Sequence, residues 1–181
     1  MKPLLLLCIF VFSFGLICFA QDKKTTKKGE ITFEASVPPF EEIKAKHEKA
    51  SCVLNTKTGE INSLALVKEF HFKIALMEEH FNSNFIESNR YPKATFKGII
   101  ENFDMNKIGS SPQEFKLKGK LKLHGTSRTV TPTATVRKVN DGIEIVTVFD
   151  IIASDFDIQI PEILNQKISK TITLKTVFLV K

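Results

Sequence analysis

Phe115-Lys116-Leu117-Lys118-Gly119-Lys120-Leu121-Lys122-Leu123-His124 alternates without a break. Phe115, Leu117, Gly119, Leu121 and Leu123 share one face at a period of two, and the four lysines share the other with His124. That pattern predicts a strand with one buried and one wet face. The same period runs outward in both directions. Upstream, Ile31, Phe33 and Ala35 alternate with Glu30, Thr32 and Glu34 until Pro38-Pro39 ends the run. Further extended segments are predicted over 43–54, 60–67 and 69–74, with a turn at Thr58-Gly59 between the first two. Downstream, 130–139 and 143–153 flank Asp141-Gly142, a two-residue hairpin signal because both central positions favour positive φ. Residues 168–180 form a last alternating strand. Only 74–86 breaks the period: Ile74, Met77, Phe81 and Phe85 recur at helical spacing, predicting one short amphipathic helix that serves as a lid or side plug. About eight strands joined mostly by tight turns predict an all-β fold, either an antiparallel sheet closed into a barrel without edges or a sandwich.

With 181 residues, 43% apolar and 25% charged, the chain has the composition of one globular domain. Wholesale disorder and a polytopic membrane protein are excluded. The N-terminus reads differently from the rest. Lys2 precedes an apolar run from Leu4 to Phe19, and Cys18-Phe19-Ala20 offers small residues before polar Gln21, as an export signal cleaved after Ala20 requires. The run is short for a spanning helix of roughly 20 residues. Leu7 and Ile17 stand before Cys8 and Cys18, where a lipoprotein needs a small residue. Lys23, Lys24, Lys27 and Lys28 resist translocation and favour the other reading, an uncleaved anchor. The expected organisation is a signal peptide over 1–20, a flexible basic leader over 21–29 and a barrel over 30–181. Losing residues 1–20 removes Lys2, Cys8 and Cys18, so the formal charge falls from +6 by one and Cys52 stays alone. One cysteine cannot make an internal disulfide, so the core must hold the fold, and Cys52 reads as a small apolar residue within it. Through the alternating segments the lysines are scattered singly, without the arginine or aromatic interleaving of a nucleic-acid platform.

Catalytic patterns are missing. His47, His71, His80 and His124 include no HExxH pair, and Glu78-Glu79-His80 lacks the second histidine of a helical zinc site, so no metal is expected. There is no G-x-S-x-G elbow, and Gly109-Ser110-Ser111-Pro112 reads as a loop. Asp155 and Asp157 share a strand face with no partner acid beside them. The chain reads as a non-enzyme without a cofactor.

Glu78-Glu79-His80-Phe81-Asn82, then Phe85-Ile86-Glu87-Ser88, Tyr91-Pro92-Lys93-Ala94-Thr95-Phe96-Lys97-Gly98 and Gly119-Lys120-Leu121-Lys122-Leu123-His124-Gly125-Thr126-Ser127-Arg128 follow one another in this order. With Ser154-Asp155-Phe156-Asp157-Ile158 and the terminal strand, the chain resembles the YceI-like family of lipid- and polyisoprenoid-binding proteins over residues 30–181. The resemblance implies a periplasmic, lipocalin-like eight-stranded antiparallel barrel whose apolar lumen sequesters or transfers a long isoprenoid or other lipid. Segments 143–152 and 172–180, apolar on both faces, agree with such a surplus of apolar side chains. The expected lumen residues are Phe72, Met77, Phe81, Phe96, Leu121, Leu123 and Phe149. His80 and His124 are expected as structural hydrogen-bonding groups near turns or as polar contacts to a lipid head group. The alternative is a lipid-free barrel that meets a partner through the basic face of Lys116, Lys118, Lys120 and Lys122, a face that would also favour transient contact with an anionic membrane surface.

Overall fold

The computed structural model describes residues 22–181; the expected signal peptide, 1–20, lies outside them. The strands are β1 (Lys23–Ser36), β2 (Lys44–Asn55), β3 (Glu60–Leu66), β4 (His71–Phe72), β5 (Lys93–Ile100), β6 (Gln113–Leu123), β7 (Thr126–Val130), β8 (Thr133–Val139), β9 (Gly142–Ile152) and β10 (Ile168–Val180). Hydrogen bonding runs β1-β10-β9-β8-β6-β5-β3-β2 and returns from β2 to β1, antiparallel throughout. Eight strands therefore close the expected barrel, which removes every long edge. The two short strands patch its wall. β8 pairs with β6 only over Gln113–Lys116, and β7 takes over from Gly119 to Leu123; β4 likewise caps β2 at Ala45 and Lys46.

Several elements differ from the sequence reading. The expected leader is part of the barrel, because β1 pairs with β2 from Lys23↔Asn55 onward and Thr25 exchanges both main-chain hydrogen bonds with Lys181, at 2.8 and 3.0 Å. Ladder bonds come from the main chain, so polar side chains do not prevent them. The expected strand over 69–74 is instead a 3₁₀ turn, Val67–Glu69, followed by the two residues of β4. The wall strand in that part of the chain is β5. The predicted run 130–139 splits at Pro132, which has no N–H to donate. The hairpin turns on Asn140 and Asp141, since Val139 pairs with Gly142 and Asn140 carries the positive φ of 52°. Gly142 is needed for close approach: a Cβ there would lie 2.9 Å from the Val180 carbonyl oxygen. The helix α1 (Ala75–His80) is shorter than 74–86, and its chain continues into a π-type turn, Phe81–Phe85.

One end of the barrel is solid. Leu54, Ile61, Ile100, Val136, Ile143 and Val180 are buried there, and the β5–β6 loop lays Phe103, Met105 and Ile108 across it. Cys52 belongs to this packing, and burial pushes its thiol up to about 12, out of the reactive range.

His47 is also fully buried, on β2 just before two successive outward residues, Glu48 and Lys49, shift the strand's alternation. Its Nδ1 accepts the Lys49 N–H at 3.1 Å, and Phe70 meets the ring edge-on. Burial holds the imidazole below the usual histidine range, although the Glu69 carboxylate 3.5 Å from Nε2 opposes this. The unfolded chain takes up this proton near pH 6.5 and the folded chain only below that. Stability from this group is complete above about pH 6.5 and is lost as pH falls toward the folded value. The urea midpoint of the wild type should therefore drop more between pH 7 and pH 5 than that of His47→Asn, which keeps an acceptor for Lys49. Equal drops would show that His47 does not contribute to acid sensitivity.

Candidate functional site

Above the packed end, the inward side chains of the strands leave a lumen of about 130 Å³. Its walls include Ile31 and Phe33 of β1, Phe96 of β5, Leu117 and Leu121 of β6, Phe149 of β9 and Leu174 of β10. Among the described residues no charged side chain lines it, and its polar side chains are the hydroxyls of Ser63, Thr95, Thr147 and Thr176. Thr147 and Thr176 satisfy each other at 2.8 Å. A cavity of comparable size lined by aliphatic and aromatic groups stays dry and admits a small apolar guest. Such a lumen accepts the end of an apolar chain and rejects an ion, whose desolvation nothing there would offset.

The lumen opens at its upper end into a vestibule of about 570 Å³. Phe33, Phe81, Ile86, Ile158 and Ile172 line both spaces and so form a neck between them. Charged, imidazole and amide side chains enter at the vestibule, where Glu41, His80, Asn84, Gln159 and Lys167 share the wall with Phe40, Ile43, Met77 and Leu164. The strap that runs from α1 through Ile86 covers one side. Glu78 pins it: its carboxylate accepts the Phe72 N–H at 3.1 Å and faces His71 Nδ1 at 3.4 Å. Beneath the strap, Phe33, Phe70, Phe72 and Phe81 form one aromatic cluster, with Phe81 5.3 Å from both Phe33 and Phe72 between ring centroids.

Of the residues chosen from sequence, Phe81, Phe96, Leu121, Leu123 and Phe149 line the lumen, while Phe72 and Met77 line the vestibule, which Phe81 also reaches. All seven border one continuous apolar path. The sequence reading missed Phe33, Ile86, Ile158, Ile172 and Leu174. The alternation Ile172-Leu174-Thr176-Phe178 and the face Ile31-Phe33-Ala35 carried the signal for three of them. Ile86 closes the segment 74–86 without belonging to its 74-77-81-85 face and Ile158 sits outside any periodic segment, so periodicity gave no signal for either.

The family model described as the YceI-like domain matches residues 20–178. The chain belongs to the YceI-like family. No curated protein sequence matches it. Among solved structures, a polyisoprenoid binding domain from Saccharophagus degradans, implicated in plant cell wall breakdown, superposes with a TM-score of 0.76 at 15% identity, covering 88% of this chain and 98% of that one. BcnA of Burkholderia cenocepacia gives 0.70 at 18%, covering 85% and 96%. The YCEI protein of Campylobacter jejuni gives 0.59 at 17%, covering 78% and 87%.

In this YceI-like barrel the gap between β7 and β9 is bridged by the 3₁₀ turn Ala153–Phe156, and Thr126 Oγ1 donates to Asp157 there. His124 stands in the β6–β7 turn at φ 49°, with its ring edge-on to Tyr91 at 4.4 Å. Gly125, at φ 79°, lies under the same tyrosine, and a Cβ there would come within 2.7 Å of its ring. The His124 Nε2 lies 3.0 Å from Glu87 Oε2 and its Nδ1 3.1 Å from the Phe156 carbonyl oxygen. His124 thus takes the structural role, whereas His80 is exposed on the vestibule wall.

Proposed function

We propose that this protein binds a long apolar ligand, a polyisoprenoid or another lipid, and sequesters or transfers it in the periplasm after export and removal of residues 1–20. The observation that carries the reading is an uncharged lumen, closed below and continuous above with an apolar vestibule. The polyisoprenoid-binding neighbour of the same fold supports the ligand class. Magnitudes favour transfer between membranes over scavenging from water. At about 0.8 kcal/mol per buried CH₂, a chain of about forty carbons would gain roughly 30 kcal/mol from water, beyond the limit of about 20 kcal/mol for non-covalent binding. A bilayer offers similar solvation, so the barrel need compete only by shape and by polar contacts at the vestibule. The mouth suits such a donor. Phe40, Leu76 and Ile163, exposed by 42%, 57% and 86%, stand on three separate segments beside vestibule-lining residues.

A second reading, a lipid-free barrel that acts through its surface, rests on the outward lysines of β6. Lys120 lies directly opposite Lys97 of β5, a like-charge pairing that destabilises a sheet and that an anionic partner would relieve. One experiment separates the two. Protein purified from cells without detergent, extracted with organic solvent and analysed by mass spectrometry should yield a stoichiometric isoprenoid or other long-chain lipid. An empty extract, with a native mass equal to the bare polypeptide, would overturn the carrier reading in favour of the surface.

A further inference from the structure

Two walls of the neck between lumen and vestibule, the strap and the segment after the Ala153–Phe156 turn, share no main-chain hydrogen bond, unlike the paired strands β1 and β10 that carry Phe33 and Ile172. Phe81 and Ile86 come from the strap, and Ile158 from the segment after the Ala153–Phe156 turn. To widen the neck, the strap and this segment must separate. His124 holds one with each ring nitrogen. Nε2 meets the carboxylate of Glu87, the residue after Ile86, and Nδ1 meets the carbonyl of Phe156, two residues before Ile158.

Both partners are acceptors only. A neutral imidazole has one N–H and one lone pair, so it satisfies one partner and turns its lone pair on the other at about 3 Å; the imidazolium donates to both. We propose that His124 is a proton-controlled latch on the neck: protonated, it ties the strap to the Phe156 segment and holds the passage closed, and neutral, it releases one wall. This rests on reading the lumen as the ligand site and adds its regulation. Histidine is the side chain that changes charge between about pH 5 and 8, whereas ordinary carboxylates do so lower. Other charged and titratable groups stand on the elements packed against the ring, Tyr91 at 4.4 Å among them. From the strap, Arg90 lies 3.8 Å from the same Glu87 oxygen and 5.1 Å over the Tyr91 ring. From the other wall come Asp155 and Asp157, the second held by Thr126. His71, paired with Glu78, and His80 also belong to the strap region, so a variant at position 124 must isolate the effect.

The test is amide hydrogen exchange over residues 82–91, the end of the strap and the turn that follows it, in ligand-free full-chain protein at pH 5.5 and 7.5, with rates corrected for intrinsic chemistry. Wild-type strap amides should exchange on the order of tenfold more slowly at pH 5.5, the effect of one charge-assisted hydrogen bond on local opening. His124→Arg supplies donors at every pH and should be slow at both values, and His124→Ala fast at both. Glu87→Gln, whose amide either donates or accepts, should also flatten the profile while leaving His124 in place. A wild-type ratio near one, or a pH dependence retained in His124→Ala, would overturn the latch. Because no ligand is present, that failure is distinct from an empty lipid extract, which would bear on the lumen alone.

Discussion

Gly119→Ala should destabilise the barrel by about 2 kcal/mol and narrow its lumen, within the 1–3 kcal/mol usual for overpacking. Gly119 of β6 and Gly98 of β5 face each other in register, and the Phe96 ring lies across both. A Cβ on Gly119 would stand 2.4 Å from Phe96 Cζ, 2.6 Å from the Lys97 carbonyl oxygen and 2.7 Å from Gly98 Cα. Two of those three atoms are backbone of the neighbouring strand. They cannot swing aside, so β5 and β6 must part locally and the ring must lift into the lumen. At roughly 2–4 °C per kcal/mol for a domain of this size, the melting temperature should fall by about 4–8 °C. Gly109→Ala is the control, since a Cβ there meets nothing within 4 Å. A Gly119→Ala protein melting within a degree of the wild type would mean that the strands have slack here. Retained lipid capacity despite the lower melting point would place the displaced ring outside the path of the ligand.

Phe81→Ala should move stability and exchange in opposite directions. Phe81 touches Phe33, Phe70 and Phe72 at centroid distances of 5.3, 6.2 and 5.3 Å, and it is half-buried. Full burial makes Phe→Ala cost about 3–5 kcal/mol, so a loss of about 2–3 kcal/mol is expected here. Phe81 is also one wall of the neck, so release of a fluorescent prenyl probe into lipid vesicles should quicken. Phe85→Ala is the comparison: Phe85 belongs to the same turn but lines only the vestibule, and its loss should leave release unchanged. Loss of stability without faster release would reduce Phe81 to a packing residue.

The barrel was legible because alternation is a local signal. The run from Phe115 to Leu123 falls within β6, and its break at His124-Gly125 coincides with two positive-φ residues. Misreadings arose where local chemistry and tertiary pairing disagree. Residues 23–29 look like a solvated leader by their lysines and threonines, yet β2 on one side and the chain's last residue on the other supply a ladder. Phe70 and Phe72 alternate like a strand, but the turn at Val67–Glu69 leaves only two residues able to reach β2. The neck could not be read as a unit, since its five residues come from four segments far apart in sequence and only Phe81 stood out beforehand. The same holds for His124, whose partners lie 37 and 32 residues away.

The floor formed by Phe103, Met105 and Ile108 gives the barrel a direction. A tube sealed at one end admits a linear molecule tip first and returns it tip last, and any group too bulky or too polar for the neck stays outside throughout. Depth then becomes a measure of length. Under the proposed function, chains shorter than the tube would sink below the neck and leave unfilled space above them, whereas longer ones would stand proud of the mouth with their terminal group displayed to whatever the protein meets next.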